Sequence, residues 1–136
     1  MKCMVFIVGM TLVAGAANAR SSWSGTWRAG VGRNATGEFR TVDRDGDVEF
    51  QLQLWGGPSS EASGFADGHL SVRDGRAVFE TTEWGGKCRI EFVFEQKQVT
   101  IEQKEGGSGT CGFGIGIEAY GTFVRRSRKP PKFRKF

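Results

Sequence analysis

Histidine is almost missing from this chain, and cysteine is scarce: His69 stands alone, and the cysteines are Cys3, Cys88 and Cys111. A protein zinc site draws several of its ligands from these two residue types. Two cysteines that remain after residue 20 therefore lack the partners for a metal centre. After the first twenty residues no apolar run approaches the length a membrane helix needs, and no window repeats at the 3.6-residue period of an amphipathic helix. Helical bundles fall away with that absence. The alternating Gly112, Gly114 and Gly116 do not keep the G-x-G-x-x-G spacing of a phosphate-cradling turn, and no strand–turn–helix unit surrounds them, so a dinucleotide fold is not supported. Asp43-Arg44-Asp45-Gly46-Asp47 starts like a calcium loop, but counted from Asp43 the sixth and twelfth places hold Val48 and Leu54 where an EF-hand needs glycine and glutamate. No metal or cofactor is expected.

The N-terminus has Lys2, an apolar stretch from Met4 to Ala17, and the small-residue ending Ala17-Asn18-Ala19. This order reads as a secretory signal, residues 1–19, cleaved before Arg20. A periplasmic or secreted location follows as the expectation. Cys3 would leave with the signal, and Cys88 and Cys111 then form the natural disulfide of an exported chain. A staple suits a mature chain of this size, which buries only a modest core.

Charge is divided along the sequence. Residues 20–124 hold 11 basic against 15 acidic side chains, whereas residues 125–136 hold seven basic and no acidic ones. The overall +4 thus conceals a mildly acidic body and a strongly basic, disordered tail, expected over 125–136.

Alternation with period two dominates the body. Val48, Phe50, Leu52 and Leu54 alternate with Glu49, Gln51 and Gln53, and Ile90, Phe92 and Phe94 with Arg89, Glu91 and Glu95. Each pattern marks a strand with one buried and one wet face. Asp45-Gly46, Asp67-Gly68 and Asp74-Gly75 suit the positive φ of tight hairpin turns. Strands are predicted near 24–30, 37–42, 47–55, 68–73, 76–82, 88–95, 98–103 and 115–124. Eight hairpin-linked strands give an all-β antiparallel up-and-down barrel, with a two-sheet sandwich as the alternative. Residues 20–124 form that single domain, and closure would remove its sheet edges.

Candidate contact residues follow from position. Trp55 and Trp84 each precede Gly-Gly at a strand–loop junction, and Ser59 and Ser60 lie in the longest polar loop, where binding residues concentrate. Gly112, Gly114 and Gly116 alternate with Phe113, Ile115 and Ile117. If extended, that segment has one bare face, open to a ligand or covered by an aromatic ring such as Trp84 or Trp55. Trp23 and Trp27 are placed to plug one end of the barrel. His69 near Asp67 and several serines is read as a polar residue beside a turn, since no serine sits in a strained nucleophile elbow. Glu80, Glu83, Glu91 and Glu95 are read as solubilising residues on outer strand faces. In the tail, Arg125, Arg126, Arg128, Lys129, Lys132, Arg134 and Lys135 are candidates for binding an anionic envelope component.

The order of motifs Trp23-Ser24-Gly25-Thr26-Trp27-Arg28, Cys88-Arg89-Ile90-Glu91-Phe92, Val99-Thr100-Ile101-Glu102-Gln103, Cys111-Gly112-Phe113-Gly114 and Gly121-Thr122-Phe123-Val124-Arg125 resembles a group of small proteobacterial periplasmic proteins. In architecture alone the chain is similar to the bacterial C-type lysozyme inhibitors. The resemblance implies a small periplasmic β-barrel that binds another macromolecule. The expected function is therefore a non-catalytic binding protein, an inhibitor of a cell-wall hydrolase or an envelope-protective protein, and not an enzyme. The alternatives are a lipocalin-like carrier of a small apolar ligand, or a surface protein acting through its tail. Nucleic acid is not an expected partner of an exported acidic domain.

Overall fold

The computed structural model describes residues 22–29, 36–56, 63–107, 109–113 and 117–135. The expected signal, Ser59, Ser60, Gly114 and Gly116 lie outside them. Among the described residues every regular element is a strand: β1 (Gly25–Ala29), β2 (Thr36–Arg44), β3 (Asp47–Trp55), β4 (Ser63–Ser71), β5 (Arg76–Thr81), β6 (Cys88–Phe94), β7 (Gln98–Glu105) and β8 (Tyr120–Ser127). They form one antiparallel sheet in the order β4-β3-β2-β1-β8-β7-β6-β5. The barrel is the outcome and the sandwich is not. Two four-stranded meanders meet where β1 pairs with β8, and the sheet curls until β4 and β5 face each other across a seam. Closure is thus nearly complete, and the two edges that full closure would have removed survive at that seam.

Two of the three Asp-Gly turns form as the sequence suggests. Asp45 and Gly46 take φ of 56° and 88°, and Asp74 and Gly75 take 51° and 74°, the positive pair that matches strand twist in a two-residue hairpin. The third is a correction. Asp67-Gly68 lies inside β4, which pairs with β3 from Ser63↔Trp55 to Ser71↔Asp47. Gly68 is there for space: a Cβ would come 2.8 Å from the Phe79 ring, which leans across the seam from β5. Crowding by an aromatic, not turn geometry, selects glycine at that position.

Alternation turns Phe39, Phe50, Leu52, Phe92, Ile101 and Phe123 inward, each 0 or 1% exposed. Phe39 stacks on Phe92 with centroids 5.4 Å apart, Phe50 sits 5.7 Å from Phe92, and Phe79 meets Phe50 edge-on at 5.2 Å. Offset and edge contacts of this kind are favoured by ring quadrupoles. The interior is occupied by these side chains, as expected of a small barrel.

At one end Trp27 is fully buried and meets Phe94 edge-on at 5.8 Å, with Trp23 5.4 Å from the same ring. The Trp27 indole donates to Thr41 Oγ1 at 3.0 Å, and Thr41 in turn donates to the Trp23 carbonyl. Trp23 and Trp27 therefore plug this end, with the indole N–H satisfied. At the opposite end the Cys88–Cys111 disulfide ties β6 to the turn before β8, its Cα atoms 5.1 Å apart.

The last strand differs from expectation in register and extent. It spans Tyr120–Ser127 and not 115–124, so Arg125 and Arg126, assigned from sequence to a disordered tail, are strand residues. A bulge between Thr26 and Trp27 of β1 accommodates the pairing. A side chain at Gly25 would collide with the Ser127 carbonyl, so glycine allows this close approach.

Candidate functional site

The plugged end opens into a cleft of about 940 Å³ lined by Ser22, Trp23, the β2–β3 turn (Asp43, Asp45, Gly46, Asp47) and the β4–β5 turn with its flanks (Ser71 to Gly75). Both hairpins leave the barrel at this end because consecutive strands alternate in direction. The lining brings Asp74 of one hairpin together with Asp43, Asp45 and Asp47 of the other, against one lining cation, Arg73. The four have different duties. Asp43 accepts from the backbone N–H groups of Trp23 and Gly46, both at 2.8 Å, and its own N–H donates to Ser24 Oγ at 2.8 Å. It shapes the turn. Asp45, Asp47 and Asp74 are exposed. Asp47 lies 3.5 Å from His69 Nδ1, both side chains two-thirds exposed. His69 thus faces Asp47 across the β3–β4 pair and not Asp67 beside it. With Trp23 as floor, the cleft offers a negative, rigidly backed rim, suited to cationic groups of a partner.

The tail has a defined course. Ser127 pairs with Thr26, Thr26 with Arg40 and Arg40 with Gln51, a single row across four strands. The chain beyond β8 follows that row over the outer wall. The Lys132 carbonyl accepts from Arg40 Nη1 at 3.4 Å. The Gln51 amide reads both backbone groups of Arg134, accepting its N–H at 2.9 Å and donating to its carbonyl at 2.8 Å. Outward residues of a barrel are ordinarily wet, yet Glu38 and Gln51 are only 8% and 9% exposed. The Arg134 backbone covers Gln51. Glu38 is flanked by Arg28, at 3.2 Å, and Arg40, which satisfies a carboxylate that burial would otherwise penalise.

The seven basic tail residues separate into two groups. Arg125 turns back onto the plugged end: Nη2 donates to the carbonyls of Ser22 at 2.8 Å and Ser24 at 2.6 Å, Nη1 to that of Gln96 at 3.2 Å, and the guanidinium lies 4.7 Å from the Trp27 ring centre. Burial, with repulsion from Arg128 second, pushes it below its ordinary value; an arginine stays cationic nonetheless. Arg128 joins it on Gln96, donating to Oε1 at 3.1 Å. These two clamp the tail's root. Arg126, Lys129, Lys132, Arg134 and Lys135 are exposed and make no ion pair among the described residues.

Other candidates are scattered. Trp55 is half-buried at the end of β3, and Trp84 is 54% exposed between β5 and β6; both lie at the disulfide end, away from the acidic cleft. Gly112, at φ +85°, sits under Trp84: a Cβ would come 2.9 Å from the indole ring. The glycine is thus covered by an aromatic of the chain itself. Glu80 and Glu91 both pair with Arg89, at 2.9 and 3.3 Å, and Glu102 pairs with Lys104 at 3.1 Å, a ladder along β5–β7. Asp74 and Gln51 were not marked as site residues by sequence. Two Asp-Gly hairpins an even number of strands apart carried the signal for the first, whereas Gln51 looked like any wet strand residue. Compared with family models, curated proteins and solved structures, the chain finds no match.

Proposed function

We propose that this is an exported, non-catalytic binding protein whose acidic end takes a cationic protein partner, with a cell-wall hydrolase of the lysozyme class as the partner type. The observation that carries the reading is the convergence of Asp45, Asp47 and Asp74 from two separate hairpins around one cleft, over a floor fixed by Trp23. Carboxylates on short, rigid turns lose little entropy on binding, and complementary charge speeds encounter and fixes orientation. The carrier alternative loses its basis, because the described interior is filled by Phe39, Phe50 and Phe92. Export supports the reading by placing the protein where such hydrolases act. N-terminal sequencing of the protein from a periplasmic fraction should begin at Arg20; recovery of Met1 in the cytosol would remove the export premise. In a turnover assay with a panel of cationic lysozymes, the purified protein should slow peptidoglycan hydrolysis. Changing Asp45, Asp47 and Asp74 together to Asn should weaken that effect by roughly tenfold or more, mainly through slower association. No inhibition of any member, or inhibition indifferent to the triple change, rejects the reading.

A further inference from the structure

We infer that the tail-covered wall is a docking face for an anionic lipid surface, recognised through its phosphate headgroups. The argument is independent of the partner taken at the acidic end. A polybasic terminus is commonly a solvated chain, but here both backbone groups of Arg134 are held by the Gln51 amide, and the root is clamped by Arg125 and Arg128 on Gln96. Pinning turns a mobile charge run into a raised strap over β1, β2 and β3. No ion pair holds its cations among the described residues: Glu38, beside the row, is shared by Arg28 and Arg40, and Asp67, which continues the row on β4 opposite Gln51, pairs with none of them.

Neighbouring residues extend the same character. The outer face of β8 presents Tyr120 and Val124, 53% and 38% exposed, followed by exposed Arg126. Val124 pairs with Arg28 of β1. A wall that mixes tyrosine, a small apolar residue and cations matches the headgroup boundary of a bilayer, where an amphipathic ring and positive charge are both favoured. A strap standing out from a convex wall meets a flat surface first, whereas a nucleic acid or acidic polysaccharide strand is held better in a groove lined by its cations. The carboxylates nearest this wall are already paired: Glu102, opposite Tyr120 on β7, is held by Lys104, and Glu80 and Glu91, farther round on β5 and β6, by Arg89, which reduces repulsion from lipid phosphate in the orientation that seats the strap.

The test is flotation of the purified protein with phosphatidylcholine vesicles made with and without phosphatidylglycerol. Binding is expected only to the anionic vesicles and is lost at high salt, since exposed charges act within a Debye length. Each cation at an anionic surface contributes roughly fivefold in affinity. Lys132→Ser with Lys135→Ser, side chains that hold no contact of the tail, should therefore lower vesicle partition about 25-fold. A matched pair from the far side, Arg76→Ser with Lys87→Ser, should change it by less than about twofold. An unchanged thermal midpoint in both variants shows that the barrel is intact. Equal losses in the two pairs would mean that net charge alone drives association and would overturn the docking face. So would equal binding to both vesicle types, or displacement of the protein from anionic vesicles by a soluble polyanion such as heparin at equal phosphate and sulfate concentration.

Discussion

Phe92→Ala should destabilise the barrel by about 3–5 kcal/mol, the largest single-residue effect expected in the body. Phe92 is 1% exposed and stands on β6, yet its ring neighbours Phe39 and Phe50 belong to β2 and β3 of the other meander. Strand pairing among the described residues joins the two meanders along β1 and β8, so across the interior it is these rings that bring one against the other. Removing the ring forfeits the transfer free energy of the buried atoms. It also leaves a void that two strands fixed by their ladders cannot close, and this cavity cost is why such changes exceed simple transfer values. Phe92→Leu keeps most of the volume and should cost no more than about 1.5 kcal/mol. Urea unfolding monitored by tryptophan fluorescence measures both. A loss below about 1 kcal/mol for the alanine variant would contradict a close-packed interior, and with it the ground for setting aside a ligand cavity.

Much of this packing was legible in the sequence, for a local reason. Alternation reports which side chains share a face, and it assigned Phe50, Phe92 and Phe94 to the interior without knowledge of strand pairing. Asp45-Gly46 and Asp74-Gly75 were equally local, because two positive φ angles are a property of the dipeptide. Asp67-Gly68 carries the same two letters, but its glycine answers to Phe79, eleven positions away, and nothing in the dipeptide records that. The tail was misread for a similar reason. A run of cations looks solvated, yet Arg125 is held by the carbonyls of Ser22 and Ser24, and Arg134 by Gln51, 83 residues distant. The acidic cleft depends on two turns sharing one end of a barrel, which is legible only once strand directions are counted. Apart from the Cys88–Cys111 disulfide, which the scarcity of cysteines fixed, the features set by pairs of residues far apart in sequence are the ones the sequence did not reveal.

Loss of the Cys88–Cys111 disulfide is the second large effect, and its character differs from that of Phe92. The two cysteines are 23 positions apart, and opening a loop of that length gives the unfolded chain entropy worth about 3 kcal/mol. In the folded state both positions are buried, at 2% and 1% exposure, and the flanking segment is fixed on each side by other contacts. Gly112 lies beneath Trp84, and the β6–β7 ladder runs on from Ile90 to Phe94. Replacing both cysteines with serine should therefore lower the unfolding free energy by about 3 kcal/mol while leaving the barrel assembled. Structural change is expected only at the disulfide end, where freeing the 109–113 turn lets Gly112 withdraw from Trp84 and alters that indole's emission. Trp23 and Trp27, at the other end, should keep theirs. The acidic cleft and the basic strap lie away from the bond, so lysozyme inhibition and vesicle flotation below the unfolding transition should match the oxidised protein. An unfolding free energy unchanged by the double substitution would show that the bond contributes nothing to the fold. Loss of vesicle flotation at a temperature where the barrel remains folded would show instead that the strap depends on the disulfide end, against the independent anchoring by Gln51 and Gln96.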